Sequence, residues 1–178
     1  MSNKKGLRIA ISGRSGCGNT TVSRMLAEKL GLKLVNYTFR SIAEEDGLSF
    51  EEVCHRAETD DSWDLRVDKT QVELARKEPS VLGSRLAIWM LEDADLKVFL
   101  TGSPLVRAAR IRKREGGSLE EQMKITSARD KRDYERYLRL YDIDTDDYSH
   151  ADLIIRTDDF DAVEVVGIIE AAARSRSL

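Results

Sequence analysis

The chain has 178 residues, 41% of them hydrophobic, with 29 Lys and Arg against 32 Asp and Glu and a net charge of −3. That length builds one well-cored domain with a small lobe, and the acidic balance excludes a general binder of polymeric nucleic acid or anionic membrane, so any anion must meet a local basic cluster. No run approaches the ~20 apolar residues of a membrane span, and Leu7 to Ser12, after the basic start MSNKKG, is too short for a signal-peptide core; a cytoplasmic monomer is expected.

In chain order, the apolar run Leu7 to Ile11 predicts a first strand, and the glycine-rich GRSGCGNTT leads from it into the helical pattern VSRMLAEKLG, capped by Gly31. Leu32 to Val35 predicts a second strand. Thr38 to Pro79 then carries two or three helices and no strand, with Ser49 and Glu52 as a capping box. A stretch of that length is too long for a simple crossover and predicts a helical lobe over residues 38–79, above the carboxyl edge of the sheet. Ser80 to Leu82 and Leu96 to Leu100 predict the third and fourth strands. Ser103-Pro104 opens a charged helix to Glu115, Gly116-Gly117 breaks it, and Ser118 with Glu121 opens another to Tyr141. The double glycine marks a hinge, with a mobile lid over residues 107–132. Leu153 to Ile155 predicts the fifth strand, followed by a last helix whose ARSRSL end is expected to fray. Strands alternating with helices predict an α/β fold, a five-stranded parallel sheet of P-loop NTPase type covered by helices.

The chemistry concentrates in Gly13, Arg14, Ser15, Gly16, Cys17, Gly18, Asn19, Thr20 and Thr21. The glycines let successive backbone N–H groups turn inward, and the helix starting near Asn19 adds the positive end of its dipole, so the segment is a candidate phosphate cradle. Thr20 offers the hydroxyl that meets Mg²⁺ in such loops. Asn19 occupies the position where G-x-x-x-x-G-K-(S/T) has lysine, so one mobile positive charge is missing.

Arginines elsewhere can replace it. Arg107, Arg110 and Arg114 fall at i, i+3 and i+7 on one helix face, and Arg129, Asp133 and Arg136 follow at i, i+4 and i+7 on the next, with Asp130 beside them. Two arginine-rich faces joined by Gly-Gly form a candidate phosphate clamp. The segment after the third strand, VLGSRLAIW, offers Arg85 and no carboxylate. A hydroxyl acceptor calls for an aspartate there, whereas a phosphate acceptor arrives ionised and calls for arginine. Cys17 and Cys54 lack metal-ligand spacing and read as reduced thiols, and His55 and His150 stand apart in ordinary structural or surface roles.

These residues resemble the cytidylate kinases, in particular the compact archaeal type within the nucleoside monophosphate kinases. The resemblance runs from IAISGRSGCGNTTVSRMLAEKLGLKLV through FRSIAEEDGLSFEEV, LGSRLAIWMLEDADLKVFL and PLVRAARIRKREG to YDIDTDDYSHADLIIRT. In the compact type a small polar residue commonly replaces the loop lysine, as Asn19 does here. RDKRDYER is similar to the R-D-x-x-D-x-x-R element of bacterial members, which implies that Arg129, Asp133 and Arg136 hold the acceptor's phosphate and ribose. By the same resemblance Arg40 and Arg85 clamp the CMP phosphate, and Arg110 and Arg114, with Arg107 beside them, act on the migrating phosphoryl group. Leu86 stands where bacterial members carry an aspartate near the base. Asp64, Asp68 and Gln71 share a helix face that is either base-reading or solvated. The resemblance implies transfer of the γ-phosphoryl of ATP, with Mg²⁺, to CMP or dCMP. A kinase for another monophosphate or small metabolite, and a nucleotide sensor without catalysis, are the alternatives the residues leave open.

Overall fold

The structure is a computed structural model that describes residues 6–176. Its sheet is built on β1 (Arg8–Gly13), whose Ile9, Ala10 and Ile11 are fully buried, as a strand covered on both faces requires. β2 (Lys33–Val35), β3 (Ser80–Gly83), β4 (Leu96–Thr101) and β5 (Leu153–Arg156) complete it in the order β2-β3-β1-β4-β5. Every neighbouring pair is parallel, with Ile9 opposite Val81 and Leu96 in register.

Alternation along the strands sorts the core into two faces. Ile9, Ile11, Val81, Val98 and Leu100 pack against α1 (Asn19–Leu30) and α8 (Ala162–Arg176). Ala10, Leu82 and Phe99 pack with residues of α4 (Ser62–Lys77), α5 (Ala87–Met90) and Tyr137 of α7 (Leu119–Tyr141). Helix α1 comes so close to the sheet that a Cβ on Gly83 would lie 2.7 Å from the Cβ of Ser23. That approach needs glycine.

The segment between β2 and β3 forms α2 (Phe39–Asp46), α3 (Phe50–Ala57) and α4, joined by their own small core of Tyr37, Ile42, Ala43 and Val53. After β4, α6 (Pro104–Glu115) and α7 fold against each other through Gly116 and Gly117, whose φ values of 83° and 79° favour glycine. The caps expected from sequence form at Gly31, Ser103, Ser49 with Glu52, and Ser118 with Glu121. One expectation is corrected at the carboxyl end: α8 continues to Arg176 and buries Ala173 completely, because its apolar residues pack under the sheet, so Ala173–Arg176 do not fray. The start MSNKK and residues 177–178 lie outside the described residues.

Because all five strands run the same way, the segments after β1, β3, β4 and β5 meet at one edge. That edge carries the candidate site.

Candidate functional site

A cleft of about 940 Å³ opens along that edge, lined by residues 13–22, by Ser84 and Arg85, by Arg110 and Arg114, and by residues 157–162 after β5. Gly16 and Gly18 have φ values of 83° and 98°. A Cβ on Gly16 would lie 2.8 Å from the Arg107 carbonyl oxygen, so the loop rests directly on the backbone of α6. The Cys17 amide, counted among the phosphate donors from sequence, donates instead to the Arg14 carbonyl at 3.1 Å and closes a turn. Burial pushes the Cys17 thiol above its ordinary value, which keeps it protonated and unreactive.

Asn19 opens α1 and folds back on the loop. Its Nδ2 donates to the Gly13 carbonyl at 2.6 Å, while its Oδ1 is buried without a hydrogen-bond partner. The residue at the lysine position is therefore a tie across the base of the loop.

The three arginines of α6, aligned in sequence, have different surroundings. Arg107 is only 4% exposed, donates from Nε to the Ser15 carbonyl at 2.8 Å, and holds both carboxylate oxygens of Asp130 at 2.8 Å. Arg110 reaches the Gly16 carbonyl at 3.3 Å and the Thr157 hydroxyl at 2.8 Å. Arg114 is 63% exposed, lines the cleft, and pairs with the adjacent Glu115. Of the three, Arg114 has the freest guanidinium.

On the other wall Arg85 donates to the Ser15 hydroxyl at 2.6 Å and pairs with Asp133. Asp133 is shared with Arg136 at 3.4 Å, and Arg136 also pairs with Asp64 at 3.1 Å. Burial makes Arg85 hold its proton less tightly than an ordinary arginine, and the like charges of Arg129 and Arg136 act in the same direction. Arg129 is half-buried beside this cluster. Arg40 stands apart: it is exposed on α2, over the Phe50 ring at 4.2 Å from its centroid, and does not line the cleft. The base-facing candidates have partners within the protein. Asp64 holds Arg136, Asp68 accepts from the Tyr141 hydroxyl at 2.6 Å, and Gln71 donates to the Tyr37 carbonyl at 2.7 Å. Burial raises the pKa of both aspartates. Leu86 is buried in the core.

Residues 8–159 match the sequence pattern of the Cytidylate kinase-like family. The chain belongs to that family. It is 44% identical over 176 residues to a cytidylate kinase 2 of Borreliella afzelii, covering 97% of this chain and 99% of that one. It is 41% identical over 175 residues to a cytidylate kinase of Archaeoglobus fulgidus, with 97% of each covered. Among solved structures, a shikimate kinase from Acinetobacter baumannii superposes with a TM-score of 0.66 at 18% identity, over 98% of this chain and 97% of that one, and shows the P-loop kinase fold. Membership makes the chain a phosphotransferase of the nucleoside monophosphate kinase kind.

Within this family member, two groups, one behind the glycine loop and one lining the cleft, escaped the sequence reading of the site. Asp130 was noted only as a neighbour, yet it forms the buried pair with Arg107. Thr157, directly after β5, shares its hydroxyl proton between the Thr101 carbonyl at 3.2 Å and the Cys17 carbonyl at 3.3 Å and receives Arg110. The available signal was its position, since a residue directly after a parallel strand points to the site edge. For a metal, no group of three or more His, Cys, Asp or Glu side chains among the described residues could hold an ion. Thr20, exposed in the first turn of α1, fits an ion held by one hydroxyl together with phosphate oxygens and water.

Proposed function

We propose that the protein transfers the γ-phosphoryl group of ATP to CMP or dCMP, with Thr20 holding Mg²⁺. The observation that carries this reading is Arg85, which touches the glycine loop through Ser15 and the acceptor cluster through Asp133. One guanidinium spans the two places where the phosphates would meet. The names of the relatives supply cytidylate as the acceptor.

The chain's part in the reaction is binding and alignment. The loop amides and the dipole of α1 hold the donor's phosphates, while Arg85, Arg129 and Arg136 hold the acceptor's phosphate with one oxygen directed at the γ-phosphorus. A bond forms from that oxygen to phosphorus as the bond to the β-phosphate's bridging oxygen breaks, and ADP leaves. Arg114 offsets the charge on the moving group, and the closed cleft excludes water. Thr20 would hold Mg²⁺, which would supply charge neutralisation at the donor phosphates. An acceptor already ionised needs no general base, in keeping with the absence of a carboxylate in the segment 84–91.

A coupled assay of ADP release over CMP, dCMP, UMP, AMP and GMP tests the proposal. CMP and dCMP are expected to turn over fastest. Equal turnover of AMP refutes the acceptor assignment, and ATP binding without ADP release from any monophosphate refutes catalysis.

A further inference from the structure

The carbonyl groups of the glycine loop are all accounted for. Gly13 accepts from Asn19 Nδ2 at 2.6 Å, Arg14 from the Cys17 amide at 3.1 Å, and Ser15 from Arg107 Nε at 2.8 Å. Gly16 accepts from Arg110 at 3.3 Å, Gly18 accepts from the Val22 amide at 2.9 Å, and the Cys17 carbonyl shares the Thr157 hydroxyl proton, at 3.3 Å, with the Thr101 carbonyl at 3.2 Å. Six consecutive carbonyls thus have donors within the protein.

This determines where the amides point. Across a trans peptide the C=O of one residue and the N–H of the next lie on opposite sides. Holding the Ser15 carbonyl against Arg107 therefore turns the Gly16 N–H away from α6, toward the cleft that Gly16 lines. The Gly18 carbonyl fixes the Asn19 N–H in the same way, while the Cys17 carbonyl, which shares the Thr157 proton with Thr101, holds the Gly18 N–H more loosely. A loop with loose carbonyls would lose this orientation, because a peptide flip replaces an anion-binding donor with a repelling acceptor.

Arg107 is the most strongly held of these donors. It is buried, its charge is matched by Asp130, and Nε and NH2 are committed to Ser15 and Asp130. We infer that Arg107, itself oriented by Asp130, is a positioning residue that aims the Gly16 amide at the donor's phosphates and does not touch the phosphoryl group. The inference rests on the loop being the nucleoside triphosphate site, and it separates Arg107 from Arg114 on the same helix.

The test is Arg107→Lys, which retains the positive charge beside Asp130 but cannot donate sideways to the Ser15 carbonyl while holding both carboxylate oxygens. Mg·ATP is titrated by calorimetry without acceptor, and turnover is measured at saturating nucleotides. The Kd for Mg·ATP should rise about tenfold while kcat changes less than threefold. Asp130→Asn, nearly isosteric, should weaken Mg·ATP in the same way. The double variant should be no weaker than Arg107→Lys alone, since Asp130 acts through Arg107. A hundredfold fall in kcat at unchanged Kd would make Arg107 catalytic and overturn the inference. A lower melting temperature with unchanged Kd in both single variants would reduce the pair to a structural role and overturn it equally. Failure of the wild type to bind Mg·ATP would instead remove the reading of the loop on which the inference rests.

Discussion

Replacing Asn19 by Ala tests whether a loop without lysine depends on the side chain that took its place. The substitution removes the Nδ2 hydrogen bond to the Gly13 carbonyl, 2.6 Å long and neutral, a net contribution of about 1 kcal/mol. It also removes Oδ1, buried without a partner, whose desolvation costs the native state about 1–3 kcal/mol. The two effects oppose each other. The change in Mg·ATP affinity should stay within about 1 kcal/mol, roughly fivefold, and kcat should follow it closely. Arg114→Ala is the contrast. The arginine lines the cleft and, among the described residues, is tied only to Glu115, so it is free to meet charge that develops in the transition state. Arginines used in that way contribute about 10³–10⁵ in kcat, and the loss should appear in kcat with Mg·ATP binding largely kept. Arg110→Ala should fall between, weakening both, because Arg110 holds the Gly16 carbonyl and Thr157. Calorimetric Kd values and steady-state kcat values for the three variants decide the matter. If Asn19→Ala abolishes turnover while Arg114→Ala stays near wild type, the missing charge has not moved to α6 and the reasoning fails.

Arg129→Ala should raise the KM for CMP more than tenfold and lower kcat, since a misaligned acceptor loses its attack geometry; a change confined to the ATP KM would remove Arg129 from the acceptor site. Gly83→Ala forces a methyl against Ser23 of α1 and should cost about 1–3 kcal/mol, several degrees of melting temperature. Adding Ser23→Ala, which deletes a buried hydroxyl without a partner, should recover part of that loss, and no recovery would place the clash at the Ser23 Cβ, 2.7 Å away, and not at the hydroxyl. Burial holds Asp68 above the ordinary aspartate value of 3.8, so the folded chain binds its proton more tightly than the unfolded chain. Stability is therefore lost as pH rises from that value through the raised folded one. Asp68→Asn, whose amide oxygen still accepts from Tyr141, should gain melting temperature over wild type progressively between pH 4 and pH 7. An equal difference at both ends would contradict the burial argument.

The strands and helix ends were legible because they follow from local chemistry. Each apolar run bounded by polar residues became a strand, and Ser49, Ser118 and Gly31 capped their helices as their side chains or lack of one dictate. The glycine loop was legible for the same reason, since a short stretch of backbone carries its geometry. The arginines of α6 were legible as a row but not in their surroundings. The spacing of Arg107, Arg110 and Arg114 says that they share a helix face and nothing about what the face meets. Arg107 is enclosed by the loop and by Asp130 of α7, while Arg114 lies seven residues on, past the edge of that contact. The mutual pairing of Arg85, Asp133, Arg136 and Asp64 was hidden more deeply, because it joins residues from the segment after β3, from α7 and from α4 whose approach only tertiary packing sets.

On the reading proposed above, that pairing explains how an acidic chain can maintain an anion site. Arg85, Arg129 and Arg136 crowded together would repel one another, and burial makes each unpaired charge costly. Asp133 sits between Arg85 and Arg136, and Asp64 takes another side of Arg136, so the cluster is nearly neutral from within. On the reading proposed above, a nucleoside monophosphate competes with Asp133 for Arg85. Its phosphate carries up to two negative charges against one and more acceptor oxygens, which favours the exchange. The binding free energy is then the difference between two ion pairs in the same surroundings, much smaller than either alone. A site built this way binds its acceptor firmly enough to align it and releases the diphosphate by letting Asp133 return.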